Sequence, residues 1–286
     1  MRVRKSRKKY GGSRGGDIAI FILLVLVGLF MLFPIYLSVI QSVKPSQELF
    51  LFPPKLYAIA PTGQNFVDLL NTASNMWVPF SRYIFNSVLV AVVVTVCQIL
   101  FASFAAYALS KGKFPGQKAL NKTIEVALLF TSSVMFIMQY MVMATMGLID
   151  TYLAITLPYI ASPMGLFLMR QFMGQIPDAI IEAAKLDGAG HLRTCWQVVM
   201  PNVKPAIMTL MIFAFQGAWQ VTGYSFIYSE ELKPLPTVMQ NISAAGIARA
   251  GVAAAAVVVT MIPPIVIFLI CQSNVMETMA QSGLKD

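Results

Sequence analysis

The stretch Pro177–Pro201, PDAIIEAAKLDGAGHLRTCWQVVMP, is the longest strongly polar passage between apolar segments in a chain of 286 residues. It gathers Asp178, Glu182, Lys185, Asp187, His191 and Arg193. Ionised groups at this density lie in water or against a polar partner, because each is costly in hydrocarbon. Pro177 and Asp178 suit the first turn of a helix, where a missing N–H matters little and a carboxylate favours the dipole. Glu182, Ala183, Ala184 and Leu186 carry that helix forward, and Gly188 with Gly190 supplies a stop. A second short helix is predicted from about Leu192 to Val199, ending before Pro201. The element is a helix, a glycine-containing corner and a helix.

Around it, 57% of residues are hydrophobic and 12% are charged. Soluble proteins carry roughly a quarter charged residues, so the chain belongs in a bilayer. A spanning helix needs about 20 apolar residues. Six candidates fit: Asp17 to Ile40, Arg82 to Leu109, Ile124 to Met146, Tyr152 to Phe172, Ala206 to Tyr224 and Gly251 to Gln272. Pro158 and Pro163 predict a kink in the fourth. Between the first and second, residues 41–81 form the longest connection, where Phe66 to Leu70 reads as a short amphipathic piece able to cover the helix ends.

The net charge of +9 sits in the gaps between apolar runs. With the N-terminus inside, sixteen Lys and Arg fall on the inner side and five on the outer, the cytoplasmic-loop bias. That orientation puts both termini and Pro177–Pro201 in the cytoplasm. The expected organisation is all-α: a basic tail over residues 1–16, a six-helix membrane domain over 17–274 with a coupling loop at 175–201, and a tail over 275–286. The tail cluster from Arg2 to Lys9 suits anionic lipid. Apolar residues follow it for about 24 positions, too long for a signal-peptide core. Cys97, Cys195 and Cys271 are scattered and give neither a disulfide framework nor a metal spacing.

The polar stretch has two bland readings, a hairpin lying on the headgroups and a DNA-reading helix-turn-helix. Three basic groups beside three acids are too few for phosphate contacts, so no nucleic-acid partner is expected. Its string Glu182-Ala183-Ala184, three residues, Gly188, nine residues, then Val198-Val199-Met200-Pro201, resembles the EAA signature of ABC importer permeases. Val for Ile and Met for Leu are the departures, both conservative. Phe33-Pro34, Ser42 to Pro45, Tyr83 to Ser87, Arg170 to Phe172, Ile176-Pro177 and Ser282 to Lys285 extend the likeness to carbohydrate-type permeases similar to the second permease subunit of maltose importers.

That resemblance implies a non-catalytic permease subunit in a bacterial cytoplasmic membrane, moving a sugar or oligosaccharide by alternating access. It implies a second homologous permease, a cytosolic ATPase dimer and an extracellular or periplasmic sugar-binding protein as partners. Glu182, Ala183, Ala184, Asp187, Gly188 and Pro201 would form the ATPase-coupling element. No GxxxxGK[ST] loop occurs in the chain, so ATP and Mg belong to the separate ATPase and no cofactor is expected here.

For a solute path, polar and aromatic groups inside the fifth run stand out: Gln216, Trp219, Gln220 and Tyr224, with the first three on one face. Amides can pair with sugar hydroxyls and aromatic faces with C–H faces; equally, these groups can join helices. Met135, Met138, Met141, Met143 and Met146 suit a flexible gate or ordinary packing. Glu125 is expected to snorkel or pair with Lys122. A stand-alone secondary transporter or channel is the alternative; it calls for coupling charges deep in the membrane and often a repeat, and the sequence has neither. A membrane enzyme would need a nucleophile, base or metal cluster, which one histidine and isolated carboxylates do not supply.

Overall fold

The long apolar runs fold as helices because a bilayer offers no partner for a free backbone N–H or C=O. The computed structural model describes residues 14–282 except 75, 131, 245, 247 and 248, and side chains except at 14, 17, 132, 133, 274 and 276–282. The basic cluster before residue 14 and the Gly283 to Lys285 ending lie outside the described residues. No strand occurs among the described residues.

In chain order the helices are α1 (Arg14–Val43), α2 (Ser46–Leu49), α3 (Gln64–Ser74), α4 (Phe80–Lys111), α5 (Gln117–Ala127), α6 (Ser132–Thr145), α7 (Tyr152–Ile160) and α8 (Pro163–Gly174). They continue with α9 (Asp178–Leu186), α10 (His191–Arg193), a π-helical turn (Thr194–Val199), α11 (Met200–Asn202), α12 (Lys204–Trp219), α13 (Leu235–Ser243) and α14 (Ala250–Ser282). Four spans are long and apolar enough to cross a membrane: Ile18–Val43, Phe80–Lys111, Tyr152–Gly174 and Ala250–Ser273. A fifth is available if His191–Asn202 and Lys204–Trp219, bent by 85°, are taken together.

Three expected boundaries are corrected. The predicted run from Ile124 to Met146 is two helices, α5 and α6, parted by a turn at residues 128–130. The α5 sequence, QKALNKTIEVA, is too polar to continue the span and instead has the two-faced pattern of a surface helix. The fifth helix stops at Trp219 rather than Tyr224, because β-branched Val221 and Thr222 and then Gly223 are weak helix formers. The sixth helix, expected to end at Gln272, continues to Ser282, past the apolar span Ala250–Ser273. The fourth span breaks as its prolines require: α7 ends at Ile160 and α8 starts at Pro163.

The α4 helix is the central post, packed on α7, α8 and α12, while α14 packs on α12, α13 and α1. Two apolar clusters result. One, at the Phe80 end of α4, called outer after the side expected from the charge count, joins Leu69, Tyr83, Val90, Ile155, Trp219, Ile227 and Val238; the other, at the Lys111 end, called inner, joins Ala106, Met169, Met173, Ile181, Cys195, Val199 and Leu210. In the long outer connection, α3 runs from Gln64 to Ser74, longer than the predicted Phe66 to Leu70, and lies on α14 and α1.

The outer end is closed by a polar knot around Asn86, which is wholly buried on α4. Its Nδ2 donates to the carbonyls of Glu231 at 2.8 Å and Lys233 at 2.9 Å, and its Oδ1 accepts from the Tyr152 hydroxyl at 2.7 Å. At the next residue, Ser87 Oγ accepts from Leu235 N at 2.7 Å. Replacing Asn86 by Ala strands two carbonyls and a hydroxyl, each costing about 1–3 kcal/mol when buried without a partner. We expect Asn86→Ala to lower unfolding stability in mild detergent by at least about 2 kcal/mol; a change under about 0.5 kcal/mol would remove the knot from its structural role.

Candidate functional site

The polar stretch is an elbow clamped to the inner ends of α4 and α8. Helix α9 buries Ile181 against the inner cluster and turns Glu182, Ala183, Lys185, Leu186, Asp187 and Gly188 outward, with Ala184 half-buried. Leu186 is 89% exposed and Leu192, across the corner, 73%. Two leucines so exposed beside polar groups make a surface ready for a partner rather than for water. The corner is a Schellman stop: Gly188 N donates to Lys185 O at 3.0 Å and Ala189 N to Ala184 O at 2.9 Å. Gly188 sits at φ +79°, a left-handed conformation that needs no side chain.

The clamp is Lys111, the last residue of α4, whose side chain is 8% exposed. Its ammonium donates to Asp178 Oδ1 at 2.8 Å and to the Ile176 carbonyl at 2.5 Å. The Lys111 hydrogen bond and charge hold the Asp178 carboxyl below its ordinary range. At the same end Arg170, on α8, pairs with Glu125 on α5 at 3.0 Å. The expected Lys122 partner is thus replaced by one that ties α5 to the fourth span.

The second arm is longer and less regular than predicted. It runs from His191 through the π turn to Asn202, so Pro201 lies inside it rather than just beyond it. A π turn bonds carbonyls five residues on, which relieves the carbonyl that would clash with a proline ring four residues later. Trp196 in that turn stacks on Phe104 of α4, with ring centres 6.2 Å apart, and Thr194 Oγ1 donates to Gly190 O at 3.1 Å. The chain then turns 85° at Val203 into α12. The elbow is thus packed on α4 and α8 and continuous with α12.

The expected path residues separate. Trp219 is 5% exposed; its Nε1 donates to Thr260 O on α14 at 3.0 Å and its ring lies parallel to Phe215 at 5.9 Å. It joins helices, while Gln220, past the helix end, shares with it the wall of a cavity of about 430 Å³ that also takes in Gln240 and Thr260. Gln216 is half-buried and lines neither this cavity nor the one below. Tyr224 is in the following loop, its hydroxyl 3.1 Å from Thr237 O and 2.8 Å from Asn241 Oδ1, and so fastens that loop to α13. Of the five methionines, Met143 is in the core and Met135 lines a cavity; Met138, Met141 and Met146 are exposed.

Sequence reasoning passed over that last cavity, about 370 Å³ at the α7–α8 break, and its amides Gln98 and Gln139. The available signal was a single glutamine in each of two apolar runs, the kind of group that needs a partner or a cavity. In the turn between α6 and α7, Asp150, at φ +63°, accepts from the backbone N–H groups of Tyr228 at 2.9 Å and Ser229 at 2.8 Å, and from the Ser229 hydroxyl. These bonds lower its carboxyl below the usual range and latch the α6–α7 turn to the loop after α12.

A bundle of long apolar helices with a polar elbow at its inner end and a cavity at a broken span is a membrane permease in architecture. The sequence pattern of the family described as "Binding-protein-dependent transport system inner membrane component" matches residues 98–279, more than half of the chain, and the protein belongs to that family. It is thus a multi-pass inner-membrane component of a binding-protein-dependent transport system. It is 28% identical over 264 residues to the sn-glycerol-3-phosphate transport system permease protein UgpE of Yersinia enterocolitica, covering 91% of this chain and 94% of that one. To UgpE of Rhizobium meliloti it is 31% identical over 200 residues, 69% and 71% of the two chains. To the inner membrane ABC transporter permease protein YcjP of Escherichia coli it is 24% identical, over 92% and 94%. Among solved structures, its fold resembles a chain of a bacterial ABC transporter involved in the import of the acidic polysaccharide alginate, with TM-score 0.78, 22% identity, and coverage of 92% and 98%.

The Asp178 carboxyl, lowered from 3.8, steadies the elbow fully above about pH 4, and that support is lost as pH falls through the lowered value. Limited proteolysis at residues 175–190 should therefore be flat from pH 8 to 5 and rise on further acidification. Lys111→Met should raise cleavage at pH 7 and remove most of the acid step; an unchanged acid step would show that Lys111 does not hold the elbow.

Proposed function

We propose that this chain is one permease subunit of an ATP-driven importer for a sugar or oligosaccharide, and that the elbow couples it to a separate cytosolic ATPase. The observation that carries the reading is the division of α9 into two faces. Ile181 and the Lys111–Asp178 pair lock one face to α4 and α8, while Glu182, Ala183, Leu186, Asp187 and Gly188 present the other outward. A lever needs both a rigid attachment and a free face. Packed helices shift as units, so a partner that draws α9 down moves α4, α8 and α12 with it.

In this reading the chain crosses the membrane six times, through α1, α4, α6 with its preceding turn, the α7–α8 pair, α12 and α14. Both termini then lie in the cytoplasm, consistent with the excess of Lys and Arg on that side. The remaining divisions are a basic tail before residue 17 and a short cytosolic end beyond about residue 274. A second, homologous permease completes the pathway, covering apolar surfaces such as that of α1, whose most apolar stretch has no buried residue within this chain. A periplasmic binding protein delivers the solute, and the ATPase dimer holds ATP and Mg. The carbohydrate class is supported by the motif resemblance and by the relatives, whose names point to glycerol phosphate and to alginate.

Coexpressed with the neighbouring permease and ATPase, the chain should copurify with the ATPase, and Glu182→Arg should weaken that association roughly tenfold, as expected for reversing a charge at a docking face. Recovery of the ATPase at the parental level with full ATP-dependent uptake would take Glu182 out of the coupling face.

A further inference from the structure

The cavity at the broken fourth span lies where α4, α6, α7, α8 and α12 meet, and its volume of about 370 Å³ is within the roughly 300–1,000 Å³ of small-molecule sites. Three observations give it a chemistry. Gln98 is 5% exposed and lines the cavity, and its side-chain amide has no hydrogen-bond partner among the described residues. Its N and O are not among the buried atoms that lack a partner, so they open onto the cavity and can bond whatever enters it. Second, helices α4 and α8 come so close that a Cβ on Gly165 would stand 2.7 Å from Gln98 Nε2, so a side chain there would displace the amide. Third, the remaining wall supplies Gln139, Ser162 and the aromatic rings of Phe130, Tyr159 and Phe213, but no Lys, Arg, His, Asp or Glu.

The break itself adds to the polarity of the wall. Pro163 has no N–H to give the Tyr159 carbonyl, which in an unbroken helix would be its acceptor. Amides, a hydroxyl and aromatic faces without a charge are the means of holding a ring or chain of hydroxyls. A phosphate or carboxylate entering the same space would meet no cation among the described lining residues, and neutral donors would only partly replace its hydration.

We propose that this cavity is a solute-binding subsite on this subunit for an uncharged, hydroxyl-bearing carbohydrate, held by the Gln98 amide with Gln139 opposite in the lining. The assignment rests on the importer reading and sharpens it, because it separates this chain from relatives named for glycerol phosphate and from the alginate transporter it resembles in fold. Gln98 is a binding residue rather than a helix fastener. Two consequences distinguish those roles. Removing a fastener destabilises the fold, whereas replacing an unpaired buried amide by an apolar group of similar shape is neutral or stabilising. A Cβ on Gly217, in the same wall, meets nothing within 4 Å, so a side chain can be added there to narrow the cavity.

The test uses the whole importer in proteoliposomes with its binding protein, offered neutral di- and trisaccharides of glucose, galactose and xylose, sn-glycerol-3-phosphate, and oligoalginate. ATP-driven uptake of at least one neutral sugar and of neither anion is expected. Gln98→Leu should then lower kcat/KM for that sugar roughly tenfold, while thermal unfolding of the complex stays level or rises; Gly217→Leu should lower uptake at least as much. Uptake of either anion in preference to the neutral sugars, or of none of the neutral sugars, overturns the proposal. So does neutral-sugar uptake indifferent to both substitutions, or a fall in stability with Gln98→Leu at unchanged kcat/KM. Absence of ATP hydrolysis and of ATPase association in the parent complex would instead bring down the importer reading itself.

Discussion

The ammonium of Lys111 has three acceptors around it, Asp178 Oδ1 at 2.8 Å and the carbonyls of Ile176 at 2.5 Å and Gly174 at 3.5 Å, and the polar elbow depends on them. A lysine 8% exposed would be expensive without partners. Here its three donors face a carboxylate, the Gly174 carbonyl left free at the end of α8 as the last carbonyls of any helix are, and the Ile176 carbonyl in the link to α9. One residue therefore answers two needs, capping α8 and fixing the angle at which α9 leaves it. Cys195, Val199 and Met200 from the second arm then close an apolar seal beneath Ile181, so both arms of the elbow share the inner core with α4 and α8.

The opposite end is held by different means. Around Asn86, Ser87, Tyr152 and the residues from Glu230 to Leu235, the bonds run mostly from side chain to backbone, between a membrane helix and an irregular loop. Asp150 makes a second such latch. Irregular backbone leaves its own N–H and C=O groups unpaired, and in an apolar protein these polar side chains are what satisfies them. The two ends thus differ in kind: an apolar, ion-paired lever inside and a hydrogen-bonded lattice outside, with α4 as their common member.

Much of this was legible in the sequence, and the failures share a cause. The glycine corner, the proline break between α7 and α8, and the long runs of α1, α4 and α14 follow from local rules acting on a few residues. The π turn does not, because nothing in Thr194 to Val199 distinguishes it from an ordinary helical turn; its width answers Pro201 and the stacking of Trp196 on Phe104. The end of α12 and the roles of Trp219 and Tyr224 depend on Thr260, Thr237 and Asn241, distant partners that no spacing within the fifth run specifies. Hydropathy likewise joined α5 to α6, although Lys118, Lys122 and Glu125 mark the former as a surface helix, with Glu125 held by Arg170.

The placement of charge gives these pieces a common logic. Of the described ion pairs, Lys111–Asp178 and Arg170–Glu125 lie towards helix ends and Lys233–Glu230 in the loop before α13, while the cavity at the α7–α8 break is lined by amides, a hydroxyl and rings. A fixed charge beside the cavity would bind one state of the pathway with a strength that varies steeply with its hydration, since electrostatic interactions grow as water leaves. Neutral hydrogen-bonding groups change less between a wet and a dry state. In the importer proposed above, the energy of the cycle comes from outside this chain, so its walls need no internal charge and need only hold the solute weakly enough to release it, while the elbow at Lys111 would receive the force.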